Sequence, residues 1–184
     1  MDEHRRAPVV QVLGVGSPHG NDAVGWLAIK ALQKTGFAGR FPDGLVSLSI
    51  CDSPAQLPLL AAGARLVIVV DALAGAGEPG TVTRLDPQAL ARNAAPASSH
   101  DLGTVQMLLL LEAVHDCRTL LFGIGVGTAV ATPGQPTGSQ LVQTALEPLR
   151  AALEGCIRSA PETGSASPDS TALHPGYSTT TPQP

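Results

Sequence analysis

VVQVLGVGSPHGNDAVGWLAIKALQK, residues 9–34, is the stretch on which the fold turns. Residues 8–14 are a short β-branched run ending in glycine, and residues 22–34 place Val24, Leu27, Ala28, Ala31 and Leu32 on one helical stripe. A strand, a glycine-rich turn and a helix are therefore predicted in that order. Outward from this unit, LVSLSIC (residues 45–51) and RLVIVVD (residues 65–71) read as two further strands. The second is almost wholly apolar, as expected where helices cover both faces of a sheet. Residues 54–62 between them predict a short helix, and the Thr/Val content of residues 81–85 predicts an additional strand at a sheet edge. Residues 86–99 read as a loop with a short helix, 102–115 as a helix, 119–123 as a buried strand and 141–158 as an amphipathic closing helix. Strands alternating with helices predict an α/β fold, a three-layer sandwich whose twisted, mostly parallel sheet is flanked by helices on both faces.

A length of 184 residues with 43% hydrophobic content suits one compact core, assigned to residues 1–158. Residues 159–184 are rich in Ser, Thr and Pro, with little apolar surface to offset the entropy of ordering, so they predict a disordered tail. Only 14% of the residues are charged and the net charge is −4, which lacks the Lys/Arg excess that binding a nucleic acid requires. The apolar start runs into glycine without a signal-peptide cleavage site, and no apolar run approaches the roughly 18–20 residues of a spanning helix. A cytoplasmic protein without a membrane partner is expected. Cys51, Cys117 and Cys156 are odd in number, far apart and without C-x-x-C spacing. That pattern argues against a disulfide framework, a thiolate zinc site or a redox pair, leaving three reduced, mostly buried thiols.

Three segments carry the chemistry. In GVGSPHGNDAVGW, residues 14–26, glycines 14, 16 and 20 lie between strand and helix. The third falls one residue late for the dinucleotide fingerprint G-x-G-x-x-G, and the Walker phosphate loop is absent. Asp22 either caps the following helix or faces a ligand. In VIVVDALAGAGEPGTV, residues 67–82, an apolar strand delivers Asp71 at its carboxyl end, where α/β sheets open their ligand crevice; the alternative is a turn-initiating aspartate. In SSHDLG, residues 98–103, His100 stands just before an apolar helix, as a ligand or as a solvated or capping side chain. If the three converge, two carboxylates and one imidazole make a mixed O/N donor set suited to a divalent transition metal, with positions left for water or substrate. No G-x-S-x-G elbow and no catalytic cysteine context is present, which leaves metal or carboxylate chemistry.

At these residues the chain resembles the hydrogenase maturation endopeptidases, a nickel-dependent family that trims the C-terminal extension of a [NiFe]-hydrogenase large subunit. Their opening G-I/V-G-N, followed by an acidic residue and a glycine, is approximated by Gly14-Val15-Gly16-Ser17 and Asp22-Ala23-Val24-Gly25. Their D-A and later P-G-T-V resemble Asp71-Ala72 and Pro79-Gly80-Thr81-Val82, and their S-S/T-H helix entrance matches Ser98-Ser99-His100. The resemblance runs over residues 8–155. It implies that Asp22, Asp71 and His100 are both the metal-binding and the catalytic residues, that Ni2+ is supplied within the substrate, and that the partner is the large-subunit precursor. Ser17 stands where asparagine is usual, and the loop from Gly16 to Asp22 is one residue shorter, departures that bear on the substrate subgroup. His19 in that loop is a candidate extra ligand or precursor contact, or simply solvated. Two rival readings remain at this point: a non-proteolytic nickel- or precursor-binding maturation factor, and an α/β hydrolase acting on a small molecule or nucleotide.

Overall fold

The structure is a computed structural model that describes residues 9–75, 77–92, 99–115, 117–127 and 134–160. Strand β1 (Val10–Val15) is buried at every position because it lies inside the sheet, parallel to β2 (Val46–Cys51) on one side and to β3 (Leu66–Ala74) on the other. Beyond β3 comes β5 (Arg118–Gly127), also parallel, and then the antiparallel edge strand β4 (Val82–Leu85). The order is β2-β1-β3-β5-β4, the mostly parallel sheet that the alternating pattern predicts.

Side chains alternate across the sheet, so each strand feeds two cores. Val10, Val12, Ile68, Val70, Phe122 and Ile124 pack under helices α1 (Val24–Lys34) and α5 (Gly138–Arg158). Leu13, Val15, Val67, Val69 and Leu121 pack under α2 (Leu57–Leu60) and α4 (Ser99–Val114), the latter flanked by α3 (Pro87–Arg92). Full burial of such a side chain is worth roughly 1.5–3 kcal/mol, so the two layers hold the sheet from both faces.

Two glycines set how closely α1 approaches. A Cβ on Gly14 would lie 2.2 Å from the Gly25 carbonyl oxygen, and one on Gly25 would lie 2.2 Å from that of Val15 and 2.7 Å from that of Val70. Their bare backbones therefore draw the first turn of α1 onto the carboxyl ends of β1 and β3.

Several boundaries differ from the sequence expectations. The helix expected over residues 22–34 begins at Val24, after a 3-10 turn spanning Gly20–Ala23. Strand β3 does not end at Asp71 but runs to Ala74, because β5 continues beside it from the pair Asp71–Gly123 to Ala74–Gly127. Strand β5 is correspondingly longer than residues 119–123. Its glycines admit the neighbouring turn: a Cβ on Gly125 would lie 2.5 Å from the Glu78 carbonyl oxygen, and the Gly80 amide donates to the Gly125 carbonyl at 2.8 Å. Helix α4 begins at Ser99 rather than at 102, and α5 at Gly138 rather than at 141. For α5 the cause is a capping box in which Thr137 and Gln140 satisfy each other's backbone amides. None of the three cysteines is in a disulfide; Cys51 is buried whereas Cys117 and Cys156 are only half-buried. From the segment expected as a tail, Ser159 closes α5 through its amide to the Gly155 carbonyl and Ala160 packs on the core; residues 161–184 lie outside the described residues. Among the described residues no helix is long and apolar enough to cross a membrane.

Candidate functional site

The chain leaves β1 towards β2 on one side and later returns to pair β3 on the other, so the sheet order reverses between β1 and β3. In open α/β sheets the crevice outside the carboxyl ends of the strands opens at such a reversal. The β1–β3 ladder ends at Gly14 and Val70, and Asp71 is the next residue of β3, where the chain of β1 has already turned away.

Asp71 is half-buried, and its carboxylate is held from two directions. Oδ1 accepts the backbone N–H of Ala72 at 2.8 Å, and Oδ2 accepts the hydroxyl of Thr104 on α4 at 3.2 Å. The first bond is local, to the next residue rather than the amide two positions on that a turn-initiating aspartate uses, and Asp71 lies within β3. The second spans 33 positions and ties β3 to a helix on the sheet face.

Asp22 comes from the other side of the reversal. It lies half-buried in the 3-10 turn, and the N-cap of α1 is Ala23, with no side-chain capping bond. The helix-capping alternative for Asp22 is thus not realised for α1. Gly16 (φ 148°) brings the turn down onto the end of β1: a Cβ there would stand 2.0 Å from the Asp22 carbonyl oxygen and 3.9 Å from its Cγ. Only a glycine permits that approach.

His100 lies in the first turn of α4, not ahead of the helix, and its backbone is one helical turn before Thr104. The amino end of α4 reaches the same sheet edge, since a Cβ on Gly103 would touch Pro54, just past the end of β2. The backbones of all three expected residues therefore reach the carboxyl edge of the sheet. Among the described residues no three His, Cys, Asp or Glu side chains stand together as a metal site; the imidazole of His100 lies outside the described side chains. His19 is exposed and makes no capping bond.

Three neighbours were not singled out in the sequence. Trp26 donates its indole N–H to the Cys51 carbonyl at 3.1 Å, fastening α1 to the last residue of β2. Cys51 is fully buried and its Sγ donates to the Ser53 carbonyl at 3.0 Å. Burial pushes the Cys51 thiol above its ordinary pKa, and the Asp52 and Asp71 carboxylates push the same way. Thr104, only 1% exposed, is the third. Its one sequence signal is slight, a hydroxyl four positions after His100 in a helix that also carries Gln106 and Glu112.

The family model described as hydrogenase maturation protease (HycI) matches residues 52–155, a span that includes Asp71 and His100 and begins after Asp22. Among solved structures, the chain is similar to the hydrogenase maturating endopeptidase HybD from E. coli. The two share 27% identity with a TM-score of 0.58, over 80% of this chain and 93% of that one. It is likewise similar to an endopeptidase from Escherichia coli solved in solution, with 26% identity, a TM-score of 0.58 and the same shares, 80% and 93%. A [NiFe] hydrogenase maturation protease HycI from Thermococcus kodakarensis, 22% identical with a TM-score of 0.60 over 81% of this chain and 92% of that one, shares the fold. No protein of curated function matches the sequence.

Proposed function

The chain belongs to the hydrogenase maturation protease family, and from that premise we propose that it is the endopeptidase that removes the C-terminal extension of a [NiFe]-hydrogenase large-subunit precursor after nickel insertion. The observation that carries the reading is the Asp71 carboxylate, held at the reversal of strand order beside the turn that bears Asp22. On this reading Asp22, Asp71 and His100 engage the Ni2+ that arrives within the precursor, as cargo of the substrate and not as a resident cofactor. Two carboxylates and an imidazole suit that ion by donor type and leave positions for the precursor's own ligands. Bound nickel supplies Lewis-acid polarisation near the scissile bond. The chain's own residues do the rest. The carboxylates attract and orient the cation, the fixed rotamer of Asp71 lowers the entropy of assembling the site, and a carboxylate at this edge accepts a proton from the attacking water. The reaction takes place in the cytoplasm, with the catalytic domain running to Ala160 and the Ser/Thr/Pro-rich tail beyond it dispensable.

The test is to incubate the protein with a nickel-loaded large-subunit precursor and follow the precursor's mass. A discrete C-terminal mass loss, absent with nickel-free precursor, is the expected result. A stable complex without mass loss identifies a binding factor instead, and indifference to the precursor removes the reading altogether.

A further inference from the structure

We propose that Thr104 is a positioning residue of the site, fixing both the orientation of the Asp71 carboxylate and the axial register of the α4 turn that carries His100; the inference rests on the protease reading above. A threonine inside a helix can return its hydroxyl proton to the carbonyl one turn back in its own helix. Thr104 instead donates to Asp71 Oδ2, across the layer between α4 and β3. The hydroxyl has little competition from water, since Thr104 is 1% exposed and is flanked by buried Val105 and Leu108. A charge-assisted bond in such surroundings is stronger than a neutral one at the surface.

The geometry gives the bond two effects. With Ala72 N–H on Oδ1 and the Thr104 hydroxyl on Oδ2, the plane of the carboxylate is set, and the remaining lone pairs keep a fixed direction. Thr104 also follows His100 by one turn, a rise of about 5.4 Å along the helix axis, so anchoring the hydroxyl to β3 fixes how far the His100 turn stands from Asp71. Two proposed ligands on separate elements are thus held in register by one hydroxyl. Apolar packing of Val105, Leu108 and Leu111 alone permits sliding and rotation that a directional bond does not.

The test compares Thr104→Val, which keeps the shape and removes the hydroxyl, with Thr104→Ser, which keeps the hydroxyl. Each variant is assayed as the full chain on nickel-loaded precursor, with thermal unfolding as the control for folding. Loss of groups that orient metal ligands commonly costs about 10–100-fold in activity, so Thr104→Val should lower kcat in that range with KM little changed, and Thr104→Ser should recover most of it. A merely structural role would track the folded fraction and would show no serine rescue. Hydrogen exchange supplies a readout independent of cleavage. The Ala72 amide and the second turn of α4, the first with intrahelical hydrogen bonds, should exchange at least about tenfold faster in Thr104→Val and at the wild-type rate in Thr104→Ser, because local opening governs exchange. If wild-type protein cleaves nothing, the protease reading fails and the exchange comparison still decides the role of Thr104. Wild-type kcat, or unchanged exchange at Ala72, in folded Thr104→Val overturns the proposal.

Discussion

Replacing Gly25 with alanine tests whether the contact of α1 with the sheet edge is as close as described. In an exposed helix the change would stabilise by about 1 kcal/mol, since alanine outranks glycine as a helix former. Here the added Cβ would stand 2.2 Å from the Val15 carbonyl oxygen, whereas Cβ contacts under 3.0 Å essentially do not occur, so α1 must move by nearly an ångström. A radial gap of about 0.5–1 Å forfeits roughly a quarter to a half of the dispersion attraction across it. The residues that would lose contact include Val24, Ile29 and Leu32, each 0% exposed. At roughly 2 kcal/mol of burial apiece, about a third of their combined contribution is near 2 kcal/mol. Residual overpacking adds about 1–3 kcal/mol and the helix propensity gain subtracts about 1, giving a net loss of about 2–4 kcal/mol. For a domain of this size that lowers Tm by about 5–15 °C. Urea unfolding followed by the fluorescence of Trp26, the single tryptophan, measures it directly. Gly39→Ala serves as control, because nothing lies within 4 Å of a Cβ there. A Gly25→Ala protein as stable as wild type would refute the contact and the argument built on it.

Asp22→Asn and His100→Ala should each abolish or sharply reduce precursor processing while leaving a folded protein, and complete processing by both folded variants would remove them from the site. Asp71→Asn should do the same at an added stability cost of about 1 kcal/mol, read by urea unfolding, because its two carboxylate hydrogen bonds weaken. Cys51 should resist iodoacetamide in the native state while half-buried Cys117 and Cys156 react first, as mass mapping would show; rapid native labelling of Cys51 would contradict its burial. Because the folded thiol is held above its ordinary pKa, its contribution to stability is complete below about pH 8.5 and is lost as pH rises beyond that, a dependence that Cys51→Ala should reduce. Deleting residues 161–184 should leave Tm within about 2 °C and cleavage unchanged, since the segment has little apolar surface to bury; a larger drop would mean that it docks.

The sheet was legible because its strands are rich in Val, Ile and Leu and helices α1 and α5 carry a clear stripe, signals that the tertiary structure reinforces. The glycines were harder to read. In GIGVG, residues 123–127, they resemble a strand stop, yet β5 runs through them, because Leu73 needs the space at Gly123 and the turn at residues 78–81 needs it at Gly125. The same ambiguity hid the true end of β3, whose last residues are held by β5 after β1 has left. At the candidate site, Asp71 was visible as an acid on an apolar strand and Asp22 as an acid at a helix start. Thr104 was barely legible, because a hydroxyl four positions after His100 is its only signal and the bond across 33 positions that gives it importance leaves no trace in one sequence.

The interior place of β1 in the sheet also dictates an order of assembly. β1 has a neighbour on each side, and both arrive only later in the chain, with residues 46–51 and 66–74. Until then both hydrogen-bonding edges of an apolar strand stand open, the condition under which nascent chains pair with one another. Parallel pairing adds delay, since each partner must be brought back over a long connection. Release of fragments ending before Ala74 should therefore yield aggregates, and soluble product should appear once β3 has been synthesised and β5 can follow it into the sheet.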